Sequence, residues 1–254
     1  MLITNFASGS KGNSSLITCG DTKILIDIGI NYRSLKNKLE EIGESPANLY
    51  GILITHSHRD HIGGLSTLIN KTNIRVFAPP LIAKDLYKII NKNNIIEVED
   101  TFHINDIEIK MINLSHDVPL CVGYILKYDK KELVYITDTG YINKKLFKEL
   151  SNKHLYFLES NHDEEMLMNG PYPLLLKQRV ISDVGHLSNS TASEYLSTWI
   201  GDKTKTIILG HLSEVNNTKE VCMDTIKKVF KENNIKFKNI YLADQYDTLG
   251  PIEV

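Results

Sequence analysis

Three imidazoles and a carboxylate stand within six residues at His56-Ser57-His58-Arg59-Asp60-His61, directly behind the apolar run Gly51-Ile52-Leu53-Ile54. A short apolar run of this kind reads as a buried strand, and Ile62, Leu65, Leu68 and Ile69 continue at helical spacing. The cluster therefore falls on a strand-to-helix turn beside a rigid sheet. His58 and Asp60 keep the period of His56, while His61 breaks it. The four donors cannot share one extended face, but they reach two neighbouring centres if the turn curls. Imidazole with carboxylate suits zinc, manganese or iron better than calcium or magnesium. A solvated loop would account for one histidine, not for this set.

Composition narrows the setting. The 254 residues are 42% hydrophobic and 24% charged, ordinary values for a globular chain. With 29 cationic against 31 anionic side chains the net charge is −2, so non-specific coating of nucleic acid is not expected, although a local basic groove is compatible with it. The first residues lack the basic start and apolar centre of a signal peptide, and no apolar run approaches the roughly 20 residues of a membrane span. Cys19, Cys121 and Cys222 lie far apart, which fits buried thiols in a reducing compartment. The expectation is a cytoplasmic protein without a membrane segment.

Along the chain, strands are expected at Leu2 to Phe6, Leu16 to Thr18 and Lys23 to Asp27, the first two joined by a small-residue loop that reads as a plain hairpin connection. A helix carries Leu35, Leu39 and Ile42 and closes at Gly43. Arg75 to Ala78 is a strand, and Pro79-Pro80 opens a helix with Ile82, Leu86, Ile89 and Ile90. Strands follow at 95–98, 106–114, 122–128, 132–137, 155–158 and 206–209, with 239–242 as the last. Thr191 with Glu194, and Asn217 with Glu220, are capping-box patterns for two helices. Polar groups recur just past strand ends: Asp27, His116, Asp138 and His211.

Those strand-end donors assemble into a two-ion site. His56, His58 and His116 would hold one ion, Asp60, His61 and His211 the other, with Asp138 between them. Imidazole and carboxylate ligands leave open positions, as catalytic sites require. Two ions about 3.5–4 Å apart can clamp the attacking and leaving oxygens of a phosphoester displacement.

The series Asp27, His56 to His61, His116, Asp138 and His211 resembles the motifs of the metallo-β-lactamase fold. More narrowly, S-G-S-x-G-N-S at 8–14, E-S-N-H-D at 159–163, G-P-Y-P at 170–173, G-H-L-S-N at 185–189 and H-L-S-x-x-N-N at 211–217 resemble the YycJ-like (WalJ) branch of bacterial hydrolases. The match runs nearly end to end. It implies an α/β fold, a four-layer αββα sandwich forming a single domain over 1–254. It also implies two divalent metal ions per chain and phosphodiester hydrolysis of nucleic acid. The branch is associated with 5′→3′ DNA exonuclease activity, for which a hydroxide held by both metals is the expected nucleophile, and with DNA repair alongside repair-protein partners.

Carried over by position, His56, His58, Asp60, His61, His116, Asp138 and His211 match metal ligands, and Asp60 is also expected among the catalytic groups. Asp27 matches a carboxylate that orients the histidine loop. His186 matches a histidine that reaches the scissile phosphate and protonates the leaving oxygen. His162 matches a branch-specific position with no derivable role, supporting or direct. Arg59 departs from the small or polar residues common inside this motif. Lys177 and Arg179 read as solvated surface or as phosphate contacts, and His103 and His154 as structural. Two other readings share the residues. Hydrolysis of a small ester, thioester, lactam or cyclic phosphodiester would use the same centre, whereas a metal-binding scaffold without turnover would lack donors that this chain retains.

Overall fold

The computed structural model describes residues 1–254. The strands are β1 (Leu2–Ala7), β2 (Ser14–Cys19), β3 (Thr22–Ile26), β4 (Gly51–Leu53), β5 (Arg75–Ala78), β6 (Ile95–Glu97), β7 (Thr101–Ile104), β8 (Ile107–Leu114), β9 (Cys121–Tyr128), β10 (Lys131–Ile136), β11 (Leu155–Glu159), β12 (Thr206–Gly210), β13 (Ile240–Leu242) and β14 (Leu249–Glu253). The helices are α1 (Tyr32–Glu41), α2 (Arg59–Ile62), α3 (Leu65–Thr72), α4 (Pro80–Leu86), α5 (Phe147–Leu150), α6 (Glu164–Asn169), α7 (Leu174–Val180), α8 (Asn189–Trp199) and α9 (Lys219–Glu232).

The strands form two seven-stranded sheets, ordered β14-β1-β2-β3-β4-β5-β6 and β13-β12-β11-β10-β9-β8-β7. Each begins with an antiparallel meander, β1-β2-β3 or β7-β8-β9-β10, and continues in parallel strands, β3-β4-β5-β6 or β10-β11-β12-β13. Parallel neighbours need crossover connections, and helices supply most of them.

Alternation along the strands sets the layers. Leu133, Tyr135, Leu155, Phe157 and Ile208 share a core with Ile24, Leu25 and Ile52 of the other sheet. The intervening Val134, Ile136, Tyr156, Leu158 and Ile207 pack with Leu196 and Trp199 of α8 and Ile226 and Phe230 of α9. Leu35, Leu39, Leu65, Leu68 and Leu86, from α1, α3 and α4, cover the first sheet. Helices therefore lie outside two face-packed sheets, the αββα sandwich expected. Each fully buried large apolar side chain contributes roughly 1.5–3 kcal/mol, so the strands are a stiff platform for the loops at their ends. No helix is long and apolar enough to cross a membrane.

Several local expectations shift. Ser188, not Thr191, caps α8: its Oγ accepts the Thr191 N–H at 3.2 Å. Thr218, not Asn217, caps α9 by accepting from Val221 N at 3.1 Å. Asn217 is committed elsewhere, its Nδ2 donating to the carbonyls of Ser160 and Asn161 at 3.0 Å each. Ile89 and Ile90 fall beyond α4, and a 3₁₀ turn over Lys144–Leu146 leads into α5. Strand β7 and the edge strand β14 lay outside the expected set; Pro251 in β14 is tolerated because an edge leaves one side of the strand unpaired.

Candidate active site

The site lies where strands of both sheets end. Asp27 follows β3, Asp138 follows β10 and His211 follows β12, and all three adopt left-handed backbone, with φ of 59°, 58° and 55°. That conformation costs on the order of 1 kcal/mol for such residues and turns the chain sharply at the strand end. Local bonds hold it. His211 N donates to Ser8 Oγ at 2.8 Å, its carbonyl accepts from Asn161 Nδ2 at 2.9 Å, and Thr137 Oγ1 donates to Asp138 Oδ2 at 2.7 Å.

Asp27 organises the histidine loop from beneath. Fully buried, it accepts from Thr55 N at 2.9 Å, Thr55 Oγ1 at 2.8 Å and His61 Nδ1 at 2.7 Å. A proton on His61 Nδ1 leaves Nε2 free to ligate. Nε2 faces Asp138 Oδ2 at 3.1 Å and Asp60 Oδ2 at 3.6 Å. His116 is fixed the same way, Nδ1 donating to the Gly185 carbonyl at 3.2 Å. The loop expected as a plain hairpin connection also braces the site: Asn13 N donates to the Asp60 carbonyl at 2.8 Å, and Asn13 Nδ2 lies 3.0 Å from His61 Nε2. Gly29 permits this approach, since a Cβ there would sit 1.6 Å from the Asp60 carbonyl oxygen.

Three donor groups result, the ligand atoms in each lying within 4.8 Å of one another: His56, His58 and His116; His56, His61 and Asp138; and Asp138, Glu159, His186 and His211. Asp138 connects them, with Oδ2 3.1 Å from both His61 and His211 and Oδ1 3.9 Å from His116 and 3.7 Å from His186. Asp60 stands just outside these groups. Burial, reinforced by neighbouring imidazoles, holds His56 and His116 below the ordinary histidine range, so they are neutral imidazoles, the form in which histidine can bind metal. Burial would raise Asp138, but His211 and His61 outweigh it and keep the carboxylate ionised. For His61 burial is likewise outweighed, by Asp138 and Asp27, and the groups that attract a proton there attract a cation. His56 Nε2 is buried without a hydrogen-bond partner, a cost a metal ion would remove. The residues fit divalent metal.

Comparison with known proteins decides the family. Residues 22–211 match the beta-lactamase superfamily domain. The chain belongs to the beta-lactamase superfamily. It is 38% identical to an exodeoxyribonuclease WalJ of Streptococcus pneumoniae over 227 residues, covering 87% of this chain and 84% of that protein. It is 34% identical to an exodeoxyribonuclease YycJ of Bacillus anthracis, covering 98% and 96%. The fold matches the metallo-β-lactamase-fold protein YhfI of Bacillus subtilis with a TM-score of 0.73 at 16% identity, covering 98% and 99%. Superfamily membership, with these relatives, makes the chain a metallo-β-lactamase-fold hydrolase and accounts for the His/Asp clusters as divalent-metal donors.

Within that superfamily site, Glu159, the first residue of the E-S-N-H-D segment, has a role that its sequence position did not indicate. It ends β11 fully buried, accepts from Thr139 N at 3.0 Å and Leu187 N at 3.2 Å, and receives His186 Nδ1–H at 2.7 Å. Burial alone would lower His186, but Glu159, then Asp138 and Asp60, raise its pKa to about 9. The clue was an acid at the end of an apolar strand, the same signal as Asp138. His162 is buried beside this layer with Nδ1 unpartnered and belongs to none of the donor groups. Arg179 pairs with Asp117, and Lys177 Nζ donates to the Met168 carbonyl at 2.6 Å. His103 is exposed, and His154 Nδ1 accepts from Glu132 N; neither belongs to a donor group.

Proposed function

We propose that this chain is a two-metal phosphodiesterase acting on nucleic acid, most specifically a 5′→3′ DNA exonuclease, built as one domain over 1–254. The observation that carries the reading is Asp138, whose two carboxylate oxygens face separate histidine sets. The exodeoxyribonuclease names of the relatives at 34–38% identity support the substrate class.

In this reading His56, His58 and His116 would hold one ion, His61, His211 and Asp60 the other, and Asp138 would serve both. Zinc, manganese or iron bound there supplies charge for the phosphate and an activated water. The chain's own residues do the rest. Asp27 fixes the His61 ring. Glu159 keeps His186 protonated at neutral pH, so that it serves as general acid to the leaving oxygen. His162 packs behind this pair as support.

Purified protein loaded with manganese or zinc is assayed on 5′- and 3′-labelled single- and double-stranded DNA and on matched RNA. Loss of nucleotides from the 5′ end of DNA is expected, and no cleavage of any strand sinks the reading. His186→Ala should lower turnover by roughly 10²–10⁴ with metal content unchanged; loss of metal as well would make His186 a ligand.

A further inference from the structure

A cavity of ≈ 550 Å³ borders the donor cluster through Asp60. Lys11, Lys38 and Arg59 line it, Asp60 is its one carboxylate, and the N-terminus of α1 opens on it with its own partial positive charge. Tyr246, 57% exposed, forms part of the wall. The exposed Ser10 lines this cavity and also a smaller one of ≈ 140 Å³ whose walls include His116 and His186. A strand seated at the metal donors can therefore continue past Ser10 into the larger cavity.

The three cations are not equivalent. Lys11 Nζ pairs with Glu214 at 2.8 Å and donates to Tyr246 Oη at 2.6 Å. Lys38 Nζ donates to the Tyr246 carbonyl at 2.5 Å and to Thr248 Oγ1 at 3.2 Å. Both thus fix the loop that presents the phenol ring. Arg59 forms no ion pair and no side-chain hydrogen bond, is exposed, and sits between His58 and Asp60. A guanidinium with open donors is suited to a phosphate, and an exposed aromatic face is suited to a base. The volume lies within the roughly 300–1,000 Å³ of small-molecule sites.

We propose that this cavity is the nucleotide subsite beside the scissile position. It takes one nucleoside monophosphate unit, with Arg59 gripping the phosphate and Tyr246 facing the base. The inference rests on the nuclease reading and adds to it where the strand runs, making Arg59 a substrate-binding residue inside the histidine motif.

The test is calorimetric titration of the metal-loaded protein with dAMP and with inorganic phosphate. Arg59→Ala is expected to weaken dAMP about tenfold, one charge-assisted contact, while Arg59→Lys recovers part of the loss. Tyr246→Ala should weaken dAMP more than inorganic phosphate. On a labelled oligodeoxynucleotide, Arg59→Ala should raise KM by a larger factor than it lowers kcat. Arg59 has no side-chain partner, so the variant's melting temperature should match wild type. If dAMP affinity and KM are both within twofold of wild type in a variant that still cleaves DNA, the subsite is overturned and the nuclease reading stands. If dAMP binding depends on Arg59 but no nucleic acid is cleaved, the subsite stands and the nuclease reading falls.

Discussion

Glu159 and His186 meet at 2.7 Å, although 27 positions separate them in the chain. The fully buried carboxylate holds the imidazole's pKa at about 9. A pKa raised above the ordinary value near 6.5 adds stability that is complete below about pH 6.5 and fades as pH climbs through 9. In chelator-treated protein followed by NMR, Glu159→Gln should move the His186 titration to lower pH. The stability lead of wild type over the variant should shrink across the same window. An unmoved titration would remove Glu159 from this role.

Asp27 satisfies three donors from one buried position, one setting the His61 ring and two setting Thr55, the residue preceding His56. Asp27→Asn keeps the shape but cannot accept all three bonds. Supporting groups of this kind typically alter metal affinity by roughly 10–100-fold. Competition with a graded chelator should show a loss of that size, with the fold retained by circular dichroism.

Metal removal should be visible in stability. A ligand that binds only the folded state at 100 times its Kd adds about 2.7 kcal/mol. Treatment with chelator should therefore lower the melting temperature, and zinc or manganese should restore it. His56→Ala removes a nitrogen that is buried without a partner and takes part in two of the donor groups. That variant's melting temperature should respond much less to added metal.

Gly29 is tested by a single methyl. Its Cβ would lie 1.6 Å from the Asp60 carbonyl oxygen and 2.6 Å from Asn13 N, both backbone atoms that cannot swing away. Gly29→Ala should cost on the order of 3 kcal/mol or more and reduce metal content, measured by denaturation and by elemental analysis. A stable, fully loaded variant would show that the loop has room to spare.

The legible part of the site was the part written locally or at strand ends. His56, His58, Asp60 and His61 lie within one turn, and Asp138 and His211 each follow an apolar strand. Glu159 also stands just past an expected strand, 155–158, but took no role because its importance comes from His186, which only tertiary folding brings near. The 7–15 loop looked like a mere connection because its partners, Asp60 and His211, are remote in sequence. The same limit hid β14, whose Gly250 and Pro251 argue against a strand until β1 is beside it. The cap of α9 moved one residue because Asn217 was already committed to the Ser160 and Asn161 carbonyls. Patterns with a period were readable; competition for a hydrogen-bond partner was not.

His56, His58 and His61 hang from the first sheet, whereas His116, Asp138 and His211 hang from the second. An ion bound as proposed would be gripped by both sets, a rivet through the seam of the sandwich. Its rate of escape then gauges how firmly the two halves are seated. Damage to the inter-sheet core around Phe157 or Ile208 would surface first as metal leakage, well before the chain comes apart.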